Sequence, residues 1–360
     1  MVQICGTECH GRSSRFDVAS DDPERVVKEK DKTLIKYLLR RTLGWLLMIV
    51  VATNLTFFLA WGFLNPRNNF VGRRPPLSEE QISNLLLPRN LDSNVPIWER
   101  WWNWFSGVIF RWDWGVSPTG GSVNEQLAYR MWVSAELVLG ATIIMTVLGI
   151  ALGVYTASRQ YKLADRIGQA TSIITMNINV IVAALGIVLL AIALNDWLGV
   201  RVFYVTGASS QGVEGFFPVL IDKLQHVTLP TIALIIVGYA GTHFLQRSLL
   251  LDNINADYVR TARAKGLTKQ QAIRKHALRT SLIPVATQVA FSIPAVFTGA
   301  ILTESIFAWN GMGKYFIETI TKSDINGVVA TAAFAGLLTA LGAILSDIVV
   351  VVLDPRVRVS

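Results

Sequence analysis

Ala256–Pro284, ADYVRTARAKGLTKQQAIRKHALRTSLIP, is a basic, helix-compatible stretch set between two strongly apolar runs, and its placement decides the fold. Two helical pieces are read in it, Asp257 to Lys265 and Thr268 to about Arg279, with Pro284 starting the next apolar run. Gly266 separates them, because a glycine supplies the left-handed conformation that ends a helix, and Thr268 is then the N-cap of the second piece.

Outward from this stretch, charge-free runs dominate. Of 360 residues 52% are hydrophobic and only 16% charged, with the charges crowded between apolar segments, which is the pattern of an all-α polytopic membrane protein. Six runs are long enough to span: Thr42 to about Leu64, Met131 to Ser158, Ile167 to Leu194, Val227 to Gln246, Leu282 to about Ile306, and Gly327 to Leu353. The fourth is short and begins beside Pro230. Basic residues gather before the first run (Lys28, Lys30, Lys32, Lys36, Arg40, Arg41), after the second (Arg159, Lys162, Arg166), between Arg260 and Arg279, and at Arg356 and Arg358. The positive-inside rule then puts both termini in the cytoplasm and places all of Ala256–Pro284 but its last three residues in the largest cytoplasmic loop, residues 251–281. The domain reading follows: a cytoplasmic tail, partly disordered and without a secretory signal, over 1–36; a first span over 37–64; an extracytoplasmic loop over 65–130; a core of five spans over 131–353; and a short tail over 354–360.

The outer loop is rich in tryptophan. Trp98, Trp101, Trp102, Trp104, Trp112 and Trp114 precede the second span, and IWERWWNWF reads as an amphipathic helix at headgroup level. Interleaved with Arg100 and Arg111, these rings would also suit stacking on bases or sugars, or a lid over a pathway. The formal net charge of +8 is explained by the ends of the apolar runs rather than by nucleic acid. Cys5, Cys9 and His10 lack a fourth ligand nearby and are read as reduced thiols, with no metal site.

Glycines recur in the second run (Gly140, Gly149, Gly153) and small residues in the sixth, allowing close helix approach. Four polar residues inside the spans are candidates for the pathway or for helix pairing: Glu136, His243, Glu304 and Asp347. His243 reads either as a pathway residue or as a buried donor to a carbonyl. The three carboxylates sit toward span ends, whereas a proton-coupled carrier would place them nearer the midplane. No phosphate-binding G-x-x-x-x-G-K-[ST] loop, no H-E-x-x-H pair and no G-x-S-x-G elbow occurs, so the chain is expected neither to bind ATP itself nor to be an enzyme.

The order of several stretches resembles permease subunits of binding-protein-dependent ABC importers of the dipeptide/oligopeptide/nickel branch. The resemblance is carried by DYVRTARAKGL and HALRTSLIP, by YLLRRTLGWLL entering the first span, by RWDWGVS and SAELVLGATIIMTVLGIALGV, by TESIFAWNGMGKYF, and by SDIVVVVLDPRVR. It implies a type I importer permease fold in a bacterial-type plasma membrane. It also implies a homologous second permease, two ATPase subunits or domains that bind ATP and Mg, and an extracytoplasmic solute-binding protein. Asp257, Tyr258, Arg260, Thr261, Ala262, Lys265 and Gly266 would then form the ATPase-coupling element, with Tyr258, Thr261, Ala262 and Lys265 sharing the docking face and Pro284 marking where the push enters the fifth span. Peptides are the expected cargo, nickel or another chelated metal or a glutathione-like solute the alternative; an ATP-independent carrier or channel subunit is the competing class. Departures from the family pattern are NPRNNF after the first span, Arg260-Thr261-Ala262 in place of Glu-Ala-Ala, and TMNINV in the third span, where loss of a proline is expected to remove a kink.

Overall fold

The computed structural model describes residues 23–72 and 74–353, with side chains at 39–72, 74–289 and 300–348. Cys5, Cys9, His10, Arg356 and Arg358 lie outside them. The described residues are organised by helices: α1 Pro23–Phe63, α2 Glu79–Leu86, α3 Ile97–Arg111, α4 Val123–Ser158, α5 Leu163–Asn177, α6 Val180–Leu198, α7 Phe216–Ile254, α8 Asp257–Ala264, α9 Lys269–Ala272, α10 Leu278–Ile306, α11 Met312–Thr321 and α12 Ile325–Leu353. Among the described residues five helices carry a stretch long and apolar enough to cross a membrane: Leu39–Phe63, Val123–Ser158, Val180–Leu198, Phe216–Ile254 and Ile325–Ile348. The expected fifth run lies in α10, partly at residues whose side chains are not described.

Directions alternate through the bundle. Contacts between α4 and α7 advance in step, from the Lys223–Glu136 ion pair at 2.7 Å to Gly149 against Thr242 and Gly153 against Gln246, so these helices are parallel. They approach closely: a Cβ on Gly149 would lie 2.7 Å from Thr242 Cβ, and one on Gly153 2.8 Å from Gln246 Cβ. Small residues one turn apart permit this, and Gly149 and Gly153 meet that expectation, whereas Gly140 faces open space. α5 runs against α7 (Asp165 beside Arg247, Ser172 beside His243), α10 runs against α4 (Glu304 beside Ser134), and α1 runs against α12 (Arg41 paired with Asp347, Ile49 over Gly336).

Two expected boundaries are corrected. The third run is two helices, because Ile178 and Asn179 are extended and the Asn179 side chain accepts the Ile181 N–H at 2.9 Å, capping α6. The bend expected to vanish with the missing proline is therefore made by an Asn cap. The fourth span is not short: α7 begins at Phe216 and carries Pro230 in its interior. Its early charges are paired, Lys223 with Glu136, while Asp222 Oδ2 accepts the Ser210 N–H at 2.8 Å. α1 begins at Pro23, ahead of its apolar stretch Leu39–Phe63.

The segment between α1 and α4 is a folded cap. Ser78 and Gln81 form a capping box that starts α2. Phe57 of α1 stacks on Trp104 at 4.9 Å, and Leu86, Leu91, Trp114 and Val329 complete a buried apolar cluster over the ends of α1 and α12. Arg67 joins Asp92 at 2.8 Å and Glu79 at 2.5 Å. Burial works against the Asp92 carboxylate, but hydrogen bonds from Ser83 and Arg67 outweigh it and hold its pKa below the usual range. α3 is amphipathic and leaves Trp98, Trp102 and Trp112 exposed, but Trp104 and Trp114 are core, and Arg100 is buried with its guanidinium over the Trp61 ring.

Candidate functional site

The basic segment begins where α7 stops. Asn255 caps the end of that helix, the Asn253 side chain in its last turn accepts the Tyr258 hydroxyl at 2.5 Å, and α8 starts at once. Lys265 closes α8, and Gly266 takes φ +96°, a conformation open to glycine and costly for other residues. A Cβ there would meet nothing within 4 Å, so backbone conformation rather than space demands the glycine. Thr268 then caps α9 through a reciprocal box with Gln271. A π-helical turn at Ile273–Ala277 follows and runs without a break into α10.

This arrangement bears on two residues of the segment. Pro284 is inside α10, more than a turn past its start, so the second arm of the segment and the fifth apolar run are one continuous rod. Ala262 faces inward: with Val259 it packs on Ala272, Ile273 and Ala277, on Leu250 of α7 and on Ala157 of α4. The outward face consists of Tyr258, Thr261 and Lys265 with Asp257, Arg260, Arg263 and Ala264, all exposed. The Arg260–Asp257 approach of 3.8 Å between exposed groups contributes little. A two-armed basic element thus presents one face outward while its other face rests on α4, α7 and the root of α10.

Above this foundation lies a polar seam. Asp165 of α5, 1% exposed, accepts two hydrogen bonds from Arg247 of α7 at 2.8 and 3.0 Å, with further donors from Tyr161 N and Gln169. The Arg247 guanidinium, more than any other cause, holds the Asp165 carboxyl below its ordinary pKa against the opposing effect of burial. One turn further, His243 is enclosed, Nδ1 2.7 Å from Ser172 Oγ and Nε2 3.0 Å from Thr156 Oγ1. It engages hydroxyls on α5 and α4 rather than a carbonyl. Gln246 Nε2 donates to Ser281 Oγ at 2.9 Å, joining α7 to α10.

At the opposite end of the bundle Glu304 is fully buried. It accepts the Ser134 hydroxyl at 2.5 Å and the Lys314 N–H at 3.0 Å, while Met312 N donates to Ser134 Oγ at 2.7 Å. Gly311 is required by close approach, since its Cβ would stand 2.3 Å from Glu304 Oε1. The turn after α10 is thereby latched to α4. Glu304→Ala should strand the buried Ser134 hydroxyl and the half-buried Lys314 N–H and lower stability by about 2 kcal/mol, read as an earlier thermal transition of the solubilised protein. An unchanged transition would remove the latch. Glu136 and Asp347 are paired with Lys223 and Arg41, so the four polar span residues tie separate helix pairs and do not converge.

The Arg247–Asp165 pair, Ser134, Ser172 and the Gln246–Ser281 bond were not singled out from sequence. Arg247 alone left a signal, a lone cation following an apolar run.

A model of the family described as binding-protein-dependent transport system inner membrane component matches residues 149–359. The chain is similar to the oligopeptide transport system permease protein OppB of Mycobacterium tuberculosis, 37% identical over 328 residues that cover 91% of this chain and 100% of the relative. It is 29% identical to the oligopeptide permease protein AppB of Bacillus subtilis, covering 89% and 99% of the two chains. With the dipeptide permease protein DppB of Escherichia coli K12 it shares 28% identity, covering 90% and 99%.

Proposed function

The chain belongs to the family of binding-protein-dependent transport system inner membrane components, and from that membership we infer that it is the permease subunit of a peptide ABC importer in the plasma membrane. Metal chelates, glutathione-like solutes and ATP-independent conduction are not favoured, because the similar proteins are named for oligopeptide and dipeptide transport. Within that reading α10 is the remaining crossing, giving six passes with both termini cytoplasmic. Alternating helix directions and the basic residues at one end of the bundle support this. A homologous second permease would complete the pathway, an extracytoplasmic binding protein would deliver peptide, and two ATPase subunits or domains would hold ATP and Mg.

The observation that carries the mechanism is the two-armed basic segment. Its outward face, Tyr258, Thr261 and Lys265, is free to enter a cleft of an ATPase, and its inward face is packed on α4, on α7 and on the arm that continues into α10. Closure of the ATPases on ATP would displace α8, and Gly266 would let it turn relative to α9. The push would pass through the π-helical turn into α10 and through Leu250 and Ala157 into α7 and α4.

Two measurements test this. In proteoliposomes holding the whole complex, binding protein loaded with a dipeptide or oligopeptide should stimulate ATP hydrolysis and peptide uptake; stimulation by a nickel chelate alone would contradict the peptide assignment. Thr261→Trp, which places a large ring on the outward face, should reduce the ATPase that co-purifies with tagged permease without changing the amount of permease in the membrane. Undiminished co-purification would remove α8 from the contact.

A further inference from the structure

Between the last three turns of α4 and the root of α10 lies a cleft of about 800 Å³ that the transport mechanism does not use. Its floor is apolar, formed by Val147, Ile150 and Val154 on one side and Ile273 and Leu278 on the other. Its rim is cationic: Arg159 and Lys162 come from the α4–α5 turn, Lys269 and Arg274 from the second arm of the basic segment. Among the described residues no acidic side chain lines it and none of these four cations has a carboxylate partner. Arg159 lies over the Tyr155 ring at 4.0 Å, which holds it at the rim.

We propose that this cleft binds one anionic phospholipid, phosphate at the cationic rim and acyl chain along the α4 floor. The dimensions fit. From Ser158 back to Val147 a helix rises about 16 Å, roughly half of a hydrocarbon core of about 30 Å, so the floor follows one leaflet. Unpaired cations above an apolar wall at a bundle end select a ligand with an anionic head and a hydrocarbon tail. Four cations without a carboxylate favour a net negative head over a zwitterionic one. Because Arg159 and Lys162 belong to one element and Lys269 and Arg274 to another, the bound lipid bridges the α4–α5 turn to the arm that enters α10. It thereby stiffens the route along which α8 acts, and transport becomes dependent on anionic lipid.

The lipid site is tested on the purified complex by native mass spectrometry with added phosphatidylglycerol, phosphatidylcholine or inorganic phosphate. Wild type should retain phosphatidylglycerol saturably, and phosphatidylcholine should not replace it. Arg159→Gln and Arg274→Gln should each weaken that retention about five-fold. Ala151→Trp, which fills the floor from an exposed position, should abolish the difference between lipids without removing a charge. Equal retention of phosphatidylcholine, or retention unaffected by all three substitutions, overturns the proposal. Displacement of the lipid by inorganic phosphate would mark a site for a free anion and also overturn it. So would efficient cross-linking of Ser158→Cys to a partner protein in the assembled complex, which would show the cleft covered by protein. None of these readouts depends on α8 docking, so failure here leaves the coupling mechanism standing.

Discussion

Gly266→Val is expected to abolish most peptide uptake while the ATPases continue to turn over. The residue at 266 stands at φ +96°, where a β-branched side chain is strained by about 1–3 kcal/mol, enough to shift a docked geometry by roughly tenfold or more. Nothing near the Cβ position can clash, so the substitution acts by rebuilding the turn between α8 and α9 rather than by disturbing the spans. Insertion and the amount of assembled complex should therefore stay close to wild type. Gly266→Asn, which tolerates positive φ better, should retain more uptake, and Ala264→Val, on the exposed face two residues earlier, should mark the effect of bulk alone. Uptake unchanged in Gly266→Val would dismiss the hinge.

Arg247→Leu should produce the largest loss of stability. It leaves the Asp165 carboxylate, 1% exposed, without its cation, and removing one partner of such a pair costs about 3–5 kcal/mol. The double variant with Asp165→Asn should recover much of that loss, because no charge then remains buried. The pH dependence carries a distinct sign. In wild type the folded pKa of Asp165 is depressed, so the pair contributes stability above the unfolded value near 4 and loses it only as pH falls through the lower folded value. Without Arg247 the largest influence lowering the folded pKa is gone and burial is opposed only by the Tyr161 N–H and Gln169 bonds, so that pKa rises. Protonation then relieves the variant, whose deficit should shrink on going from about pH 7 to about pH 5. A deficit constant over that range would mean that Arg247 acts by packing instead of by charge.

The sequence made the membrane class, the basic segment, its glycine break and its Thr268 cap legible, because each rests on local chemistry: apolar length, glycine conformation, a capping side chain. Elements decided by pairing were not legible. Asp222 and Lys223 look like loop residues until Glu136 and the Ser210 N–H are brought to them, and so α7 read as a short span. The break at Ile178 and Asn179 is two residues inside an apolar window, too brief to lower its hydropathy. Helical spacing grouped Tyr258, Thr261, Ala262 and Lys265 but carried no information on which side would be covered, and the α9 contact turned Ala262 inward. Pro284 marks the start of an apolar run, but the π-helical turn before it, which joins that run to the second arm as one rod, leaves no such mark. Tryptophan density in the outer segment indicated an interface, yet two of the rings were needed to cover the ends of α1 and α12.

The central claim, that the outward face of α8 is where partner ATPases push on the spans, is tested most directly by a reversible tether. With Cys5 and Cys9 replaced by serine, Arg263→Cys places a single thiol on the exposed side of α8. In the assembled complex it should form a disulfide-type cross-link to an ATPase subunit carrying a cysteine at its cleft, stopping peptide uptake until the bond is reduced. Failure to capture any ATPase subunit from cleft positions, in a complex whose uptake is intact, would contradict the claim.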